Sequence, residues 1–115
     1  MKELLITDLD GTLLDSNGKL SDISAEIINQ FISTGGAFTF ATARTASSAV
    51  KITEKININT PCILMNGVSI YDIQKKKYIK NEYINNGTAV TVAAIFKQCN
   101  IKPFMYKIKN NRLFA

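Results

Sequence analysis

The sequence predicts an α/β fold in which a partial, Rossmann-like parallel sheet is joined by helices, and three observations support this. Short apolar runs at Glu3–Thr7, Ala37–Ala41 and Cys62–Met65 are typical of buried strands. Segments with helical spacing separate these runs. Strands that alternate with helices form parallel β-α-β units with right-handed crossovers. Apolar residues make up 46% of the 115 residues, which is enough for the core of one small domain.

The first helix is predicted over Asp22–Thr34. Ser21 is a favourable N-cap, and Gly35 with Gly36 ends the helix. Its apolar residues recur at helical spacing and are expected to face the core: Ile23, Ile27, Ile28, Phe31 and Ile32.

A loop with a small flap or hairpin is predicted between the first strand and this helix, over Asp8–Leu20. Its strongest turn signal is the segment Asp15–Gly18. The second helix is predicted over Ala46–Lys55, with Val50 and Ile56 facing inward.

The pattern changes after Val68, where two β-type runs, residues 69–73 and 78–80, flank a lysine-rich turn and predict a hairpin. A helix follows over Thr88–Cys99. A strand is predicted over Lys102–Lys109, followed by a turn at Asn110 and Asn111 and the start of another strand.

Composition excludes several classes of function. The chain has no histidine, so a Cys/His zinc site and a Ser-His triad are excluded. Cys62 and Cys99 are expected to be buried free thiols. The sequence shows no signal peptide and no apolar run of membrane-spanning length, which favours the cytoplasm. The net charge of +5 comes largely from scattered lysines, so it favours attraction of a phosphorylated metabolite over nucleic-acid binding.

Two carboxylates directly follow the first strand. Asp8 and Asp10 are two residues apart, so on an extended chain both side chains point the same way. The carboxyl end of a strand is where open α/β sheets bind ligands. Paired acids at that end suit a hard cation and nucleophilic or acid–base chemistry on an anionic substrate.

Three segments carry a family resemblance. The run Asp8–Leu14 (Asp-Leu-Asp-Gly-Thr-Leu-Leu) resembles the first motif of the haloacid dehalogenase (HAD) superfamily of phosphohydrolases. Phe40–Arg44 resembles the second motif of its Cof-like subgroup, and Leu64–Gly67 resembles the Asn-Gly that follows the third strand there. Three matches in the same order are far more specific than any single motif.

The resemblance implies a magnesium-dependent phosphatase of small phosphorylated metabolites such as sugar phosphates. Asp8 would be the nucleophile that forms an aspartyl-phosphate, and Asp10 would be the general acid and base. Mg²⁺ would be held by Asp8 and by the backbone carbonyl of Asp10.

The resemblance also implies a set of phosphate- or substrate-binding positions: Leu9, Gly11, Thr12, Thr42, Ala43, Arg44, Asn66 and Gly67. Thr42 would donate a hydrogen bond to a phosphoryl oxygen, although a helix N-cap is an alternative role for it. Arg44 and Asn66 would sit at the mouth of the site. The alternatives are a solvent-facing Arg44 and an Asn66 that only forms a left-handed turn.

The chain also departs from the family pattern. Ala43 stands where the subgroup usually has glycine, which requires either a backbone without positive φ there or a little strain. The superfamily's later lysine and acidic-pair motifs are not recognisable. The chain is therefore expected to be an N-terminal fragment, with residues 1–81 as part of the core and residues 82–115 as the start of an α/β cap.

An incomplete core has consequences for function and assembly. The fragment would be weakly active or inactive, and its uncovered sheet edge would promote self-association. A non-catalytic interaction or phosphate-binding module and a phosphomutase-type phosphotransferase are the alternatives. A receiver domain is disfavoured, because its phosphorylated Asp follows the third strand, where this chain has Asn66.

Overall fold

The computed structural model describes residues 2–115. The chain divides into two compact units, residues 1–81 and 82–115. The first unit contains β1 (Leu4–Thr7), α1 (Asp22–Ser33), β2 (Ala37–Phe40), α2 (Ala46–Ile52), β3 (Cys62–Leu64), β4 (Ser69–Asp72) and β5 (Lys77–Asn81). The second contains α3 (Asn86–Gln98), β6 (Lys107–Lys109) and β7 (Arg112–Phe114).

The predicted parallel β-α-β arrangement is confirmed in the first unit. Strands β1 and β2 pair in parallel, from Leu4 opposite Ala37 to Thr7 opposite Phe40. One residue beyond β2, Ala41 forms a parallel bridge with Ile63 of β3. The carboxyl ends of all three strands therefore lie at the same edge.

The core of this unit is built around β2, all four residues of which are buried. Phe38 and Phe40 are almost completely removed from solvent and cluster with Leu9, Cys62 and Leu64. Burial of large apolar side chains is the main term that stabilises such a unit, at roughly 1.5–3 kcal/mol for each large side chain.

Helix α1 starts where the sequence predicts, because the Ser21 hydroxyl accepts a hydrogen bond from the backbone N–H of Ser24 (3.1 Å). The predicted inward stripe is only partly right. Ile28 is buried, with Phe31 and Ile32 packed against the same cluster. Ile23 and Ile27 were expected to face the core, but 71% and 60% of their surfaces are exposed.

The prediction that β1 is a buried strand is wrong. Leu4, Leu5 and Ile6 are about half exposed (56%, 49% and 48%). The physical reason is that β1 pairs with β2 alone among the described strands, so its second edge has no neighbour. The apolar run identified the strand correctly but could not show which elements cover it.

Helix α2 is shorter than predicted and ends at Ile52. Ile56 still packs into the core from the segment that follows, and Val50 is partly buried. Strand β3 ends at Leu64, one residue earlier than expected, because Met65 enters a tight turn.

The predicted hairpin is present as β4 and β5, which pair antiparallel. Strand β4 also pairs antiparallel with β3, which gives a three-stranded sheet that the sequence did not predict. The lysine-rich turn is closed by Asp72, whose carboxylate accepts a hydrogen bond from the backbone N–H of Lys75 (2.9 Å).

The loop before α1 contains a wide turn over Leu9–Leu13, in which Asp10 and Gly11 have non-helical backbone angles, followed by a tight turn, rather than a hairpin. The tight turn is held by Asp15, whose carboxylate accepts hydrogen bonds from the backbone N–H groups of Asn17 and Lys19 (both 2.9 Å). This is the turn that the sequence predicts there.

The second unit consists of α3 and the β6–β7 hairpin, which turns at Asn110 and Asn111 as predicted. Only residues 107–109 of the predicted strand over Lys102–Lys109 are extended and paired. Within the part of the chain that the structure describes, no helix is both long and apolar enough to cross a membrane.

The two cysteines differ in environment. Both are free thiols, but only Cys62 is buried, and the prediction that Cys99 is buried is wrong because it follows the end of α3 at an exposed position. Burial raises the pKa of the Cys62 thiol to about 11. The thiolate is the reactive form, so Cys62 is protected twice, by access and by protonation.

This difference predicts the thiol reactivity of the folded chain. At pH 8 a disulfide reagent should modify Cys99 quickly. The rate at Cys62 should be roughly a hundredth of the rate at Cys99, or lower still. Cys99→Ser should remove the fast phase, and denaturant should make both thiols react. Two equally fast thiols in the folded wild-type chain would contradict the burial of Cys62.

The half-exposed strand β1 predicts self-association of the chain, with a second copy covering its free edge. Sedimentation at rising protein concentration should show an increasing mass. Leu5→Lys should reduce this association, because a charge on an edge strand opposes pairing. Ile79→Lys, at a similarly exposed apolar position on β5, is the matched control. A wild-type chain that stays monomeric throughout would show that this edge does not mediate association.

Candidate active site

A cavity of about 470 Å³ opens where the carboxyl ends of β1, β2 and β3 meet. It is lined by Asp8, Asp10, Ala41, Thr42, Ala43, Ile63, Asn66 and Gly67. Six of these eight residues are among the predicted site positions. The structure thus brings together residues from three separate segments of the sequence.

Asp8 lies at the junction between β1 and the wide turn over Leu9–Leu13. Its backbone is extended, and one carboxylate oxygen, Oδ1, accepts a hydrogen bond from the backbone N–H of Leu9 (2.7 Å). The Thr7 hydroxyl donates to the Asp8 carbonyl (2.8 Å). The bond from Leu9 orients the carboxylate at the end of the strand. The second carboxylate oxygen, Oδ2, takes no part in that bond.

The turn after Asp8 depends on Gly11, which has a φ of +76°. Residues with a Cβ rarely adopt this conformation, and the turn closes through a hydrogen bond from Leu14 N–H to the Leu9 carbonyl (2.9 Å). Leu9 is fully buried in the core, its backbone N–H is bound to Asp8 Oδ1, and it is not part of the cavity lining. Thr12 is exposed and is not part of the cavity lining.

Asp10 is bound by Arg44 in a two-point ion pair. Arg44 Nε donates to Asp10 Oδ2 (2.8 Å), and Nη2 donates to Oδ1 (2.7 Å). The Arg44 guanidinium holds the pKa of the Asp10 carboxyl below its usual value, chiefly through this hydrogen bond. The same pairing raises the pKa of Arg44.

Arg44 was predicted to lie at the mouth of the site, with a solvent-facing side chain as the alternative. It is not part of the cavity lining, but it binds a carboxylate that is. Its Nη1 also donates to the Ser48 hydroxyl (2.8 Å). Sequence reasoning missed both contacts, although the spacing of four between Arg44 and Ser48 was a usable signal.

Thr42 is buried and ends the extended run of β2. Its hydroxyl accepts a hydrogen bond from the backbone N–H of Arg44 (3.2 Å). The N-cap of α2 is Thr45, so the alternative in which Thr42 caps this helix is wrong. Ala43 stands where the subgroup usually has glycine. It is not among the residues with positive φ, so its side chain adds no left-handed strain there.

Asn66 and Gly67 form the turn after β3. Asn66 is left-handed, with a φ of 56° and a ψ of 36°, which fits the alternative in which it forms a left-handed turn. It also lines the cavity. Met65 has a φ of 52°, which the sequence did not predict. Its N–H donates to the Arg44 carbonyl (3.2 Å), and Asn66 N–H donates to the Thr42 carbonyl (3.0 Å).

The donor atoms of this site suit a hard cation. Those that line the cavity on side chains are carboxylate, hydroxyl and amide groups, and Mg²⁺ takes oxygen ligands with few protein carboxylates. Both Asp10 carboxylate oxygens are engaged by Arg44, which leaves the Asp8 carboxylate as the unpaired carboxylate of the cavity. The predicted second ligand, the Asp10 backbone carbonyl, stays a prediction. No cluster of three or more acidic, cysteine or histidine ligands occurs among residues 2–115.

The conformation of Gly11 predicts the cost of substituting it. A Cβ on Gly11 meets no atom within 4 Å, so Gly11→Ala adds backbone strain without a clash. The free energy of unfolding should fall by about 1–2 kcal/mol, and by less for Gly11→Asn, because asparagine tolerates the left-handed region better. Urea unfolding measures both, and equal stability of wild type and Gly11→Ala would contradict the turn geometry.

Known proteins share both the sequence pattern and this fold. Residues 5–114 match the family of haloacid dehalogenase-like hydrolases. A protein of Buchnera aphidicola subsp. Schizaphis graminum named "Putative phosphatase" is 33% identical over 81 residues, which cover 70% of this chain and 30% of that protein.

Two solved structures show the same fold. BT1666 from Bacteroides thetaiotaomicron, described among phosphatases of the HAD superfamily, has a TM-score of 0.75 and 22% identity, covering 87% of this chain and 37% of that one. A "putative HAD/COF-like hydrolase" from Plasmodium vivax has a TM-score of 0.71 and 24% identity, covering 86% of this chain and 37% of that one.

This chain therefore spans about a third of the length of these relatives. The family match extends over nearly all of its residues. The chain belongs to the family of haloacid dehalogenase-like hydrolases.

Proposed function

We propose that the protein is a magnesium-dependent phosphatase of small phosphorylated metabolites, sugar phosphates among them, and that Asp8 is its nucleophile. The observation that carries this proposal is the cavity in which Asp8 and Asp10 meet Thr42 and Asn66 at the carboxyl ends of three strands. Paired carboxylates with neighbouring hydrogen-bond donors suit transfer of a phosphoryl group through an aspartyl ester.

In the first step the Asp8 carboxylate attacks the phosphorus of a phosphate monoester. A bond forms between a carboxylate oxygen and phosphorus, the bond from phosphorus to the ester oxygen breaks, and that oxygen takes a proton from Asp10. The Thr42 hydroxyl and the Asn66 amide line the same cavity and are the proposed donors to the phosphoryl oxygens. Mg²⁺, when bound, would supply positive charge between Asp8 and the phosphate.

In the second step water hydrolyses the aspartyl-phosphate. Asp10, now deprotonated, takes a proton from the water, the water oxygen bonds to phosphorus, and the phosphorus–Asp8 bond breaks to release inorganic phosphate. Division of the reaction is useful because hydrolysis of phosphate monoesters is among the slowest uncatalysed reactions known.

The Asp10–Arg44 pair sets a condition on this mechanism. A general acid must be protonated before it donates, whereas the Arg44 guanidinium lowers the pKa of Asp10 and favours its ionised form. The observed arrangement is therefore suited to the second step, in which Asp10 acts as a base. Its use as an acid in the first step requires the approaching substrate to weaken the pair.

The proposed location is the cytoplasm. Free thiols at Cys62 and Cys99 agree with a reducing compartment, and phosphorylated metabolites are found there.

A second candidate is a non-catalytic phosphate-binding module. It is favoured by one observation: Arg44 binds both carboxylate oxygens of Asp10 and lowers the pKa of that carboxyl, which opposes the protonated form that a general acid needs. Such a module would bind phosphate at Thr42 and Asn66 without turnover.

Hydrolysis of p-nitrophenyl phosphate with and without Mg²⁺ tests the proposal. Asp8→Asn should reduce magnesium-dependent turnover to about a thousandth or less, because an amide is a poor nucleophile. Asp15→Asn is the matched control, since Asp15 holds a turn outside the cavity and asparagine keeps its acceptor oxygen. It should retain the wild-type rate.

Turnover that survives Asp8→Asn would overturn the role of Asp8. An inactive, folded chain agrees with the weak activity expected of a fragment; binding of inorganic phosphate without Mg²⁺ and without turnover would favour the non-catalytic candidate.

A further inference from the structure

Arg44 is held at both ends. Its backbone N–H donates to the Thr42 hydroxyl (3.2 Å), and its carbonyl accepts from the Met65 N–H (3.2 Å). Its guanidinium donates to both oxygens of Asp10 and to the hydroxyl of Ser48. A residue fixed in this way acts as a rigid bridge rather than as a mobile surface cation.

The ion pair with Asp10 is partly open to solvent, which weakens its hold on Arg44. The exposed fractions of the two side chains are 29% for Arg44 and 56% for Asp10, and ion pairs open to solvent hold long side chains weakly. A third anchor on a helix restricts the guanidinium to the orientation that presents its Nε and Nη2 edge to the carboxylate. Ser48 is that anchor, in the first turn of α2.

The neighbouring hydroxyls of α2 do not serve this purpose. Thr45 and Ser47 lie on either side of the helix start, and their hydroxyl oxygens pair with each other (3.3 Å). Ser47 is exposed, whereas Ser48 is partly buried beside Arg44. Of these two adjacent serines, Ser48 contacts the guanidinium and Ser47 does not.

We propose that Ser48 is a positioning residue of the site: its hydroxyl fixes the Arg44 guanidinium, which in turn fixes the orientation of the Asp10 carboxylate in the cavity. The contacts that form this relay are those of the free chain. The importance of the relay for turnover rests on the proposed function, in which Asp10 carries the proton.

The test is nuclear magnetic resonance of the full chain without ligand. In wild type, the Arg44 Nε–H signal should exchange slowly with water, and the three-bond couplings of Asp10 should report a single χ1 rotamer. Ser48→Ala should raise the exchange rate at least threefold and move the couplings toward averaged values. Ser47→Ala should change neither, and Ser48→Thr, which keeps the hydroxyl, should restore the wild-type signals.

Loss of fold does not confuse this result, since alanine is a better helix former than serine. Arg44→Lys provides a second route, because an ammonium cannot hold both carboxylate oxygens in the same fork, and the Asp10 couplings should average there too. The proposal is overturned if the Arg44 exchange rate or the Asp10 couplings are unchanged in Ser48→Ala.

Turnover of p-nitrophenyl phosphate by the same variants separates this inference from the proposed function. For an active chain, Ser48→Ala should lower kcat about tenfold with little change in KM, and Ser48→Thr should recover it. An unchanged kcat in an active Ser48→Ala chain would overturn the catalytic use of the relay. Altered resonance signals in a chain without turnover would support the relay as a structural feature and would leave its use in turnover unsupported.

Discussion

The site depends on a few backbone hydrogen bonds that join the end of β2 to the end of β3. Thr42 N–H donates to the Ile63 carbonyl (3.0 Å), and the Thr42 carbonyl then accepts from Asn66 N–H (3.0 Å). These bonds continue the parallel pairing beyond the last regular strand residue. Without these bonds, nothing in the backbone would hold the loops after β2 and β3 together beside Asp8 in the lining of the cavity.

Electrostatics is the second constraint. Two carboxylates in one cavity repel each other, and any phosphate would add further negative charge. The structure relieves this with a single guanidinium, placed on Asp10 rather than on Asp8. Among the described residues, Asp8 instead receives the Leu9 backbone N–H at Oδ1, which orients the carboxylate of the proposed nucleophile without a paired cation.

Local signals in the sequence were sufficient for the strands, the start of α1, the acidic turn and the left-handed Asn66. Each of these depends on residues close together in the chain, such as Ser21 and Ser24 or Asp8 and Gly11. Burial was predicted less well. Helical spacing shows that Ile23 and Ile27 share a side of α1, but it cannot show whether another element covers that side.

Contacts between distant residues were beyond sequence reasoning. Arg44 and Asp10 are 34 residues apart, and their pairing exists because parallel strands bring the two loops together. The positive φ of Met65 has a similar origin, since its N–H reaches the Arg44 carbonyl across the same edge. A single sequence contains no local pattern for either feature.

Arg44 also determines how this region can vary. Its side chain reaches the loop after β1, its backbone reaches the turn after β3, and it belongs to the loop after β2. The three loops are therefore one mechanical unit, and substitutions in them should have non-additive energetic effects. Engineering of a new specificity at this edge would have to change the loops together, because Arg44 transmits a displacement of one loop to the other two.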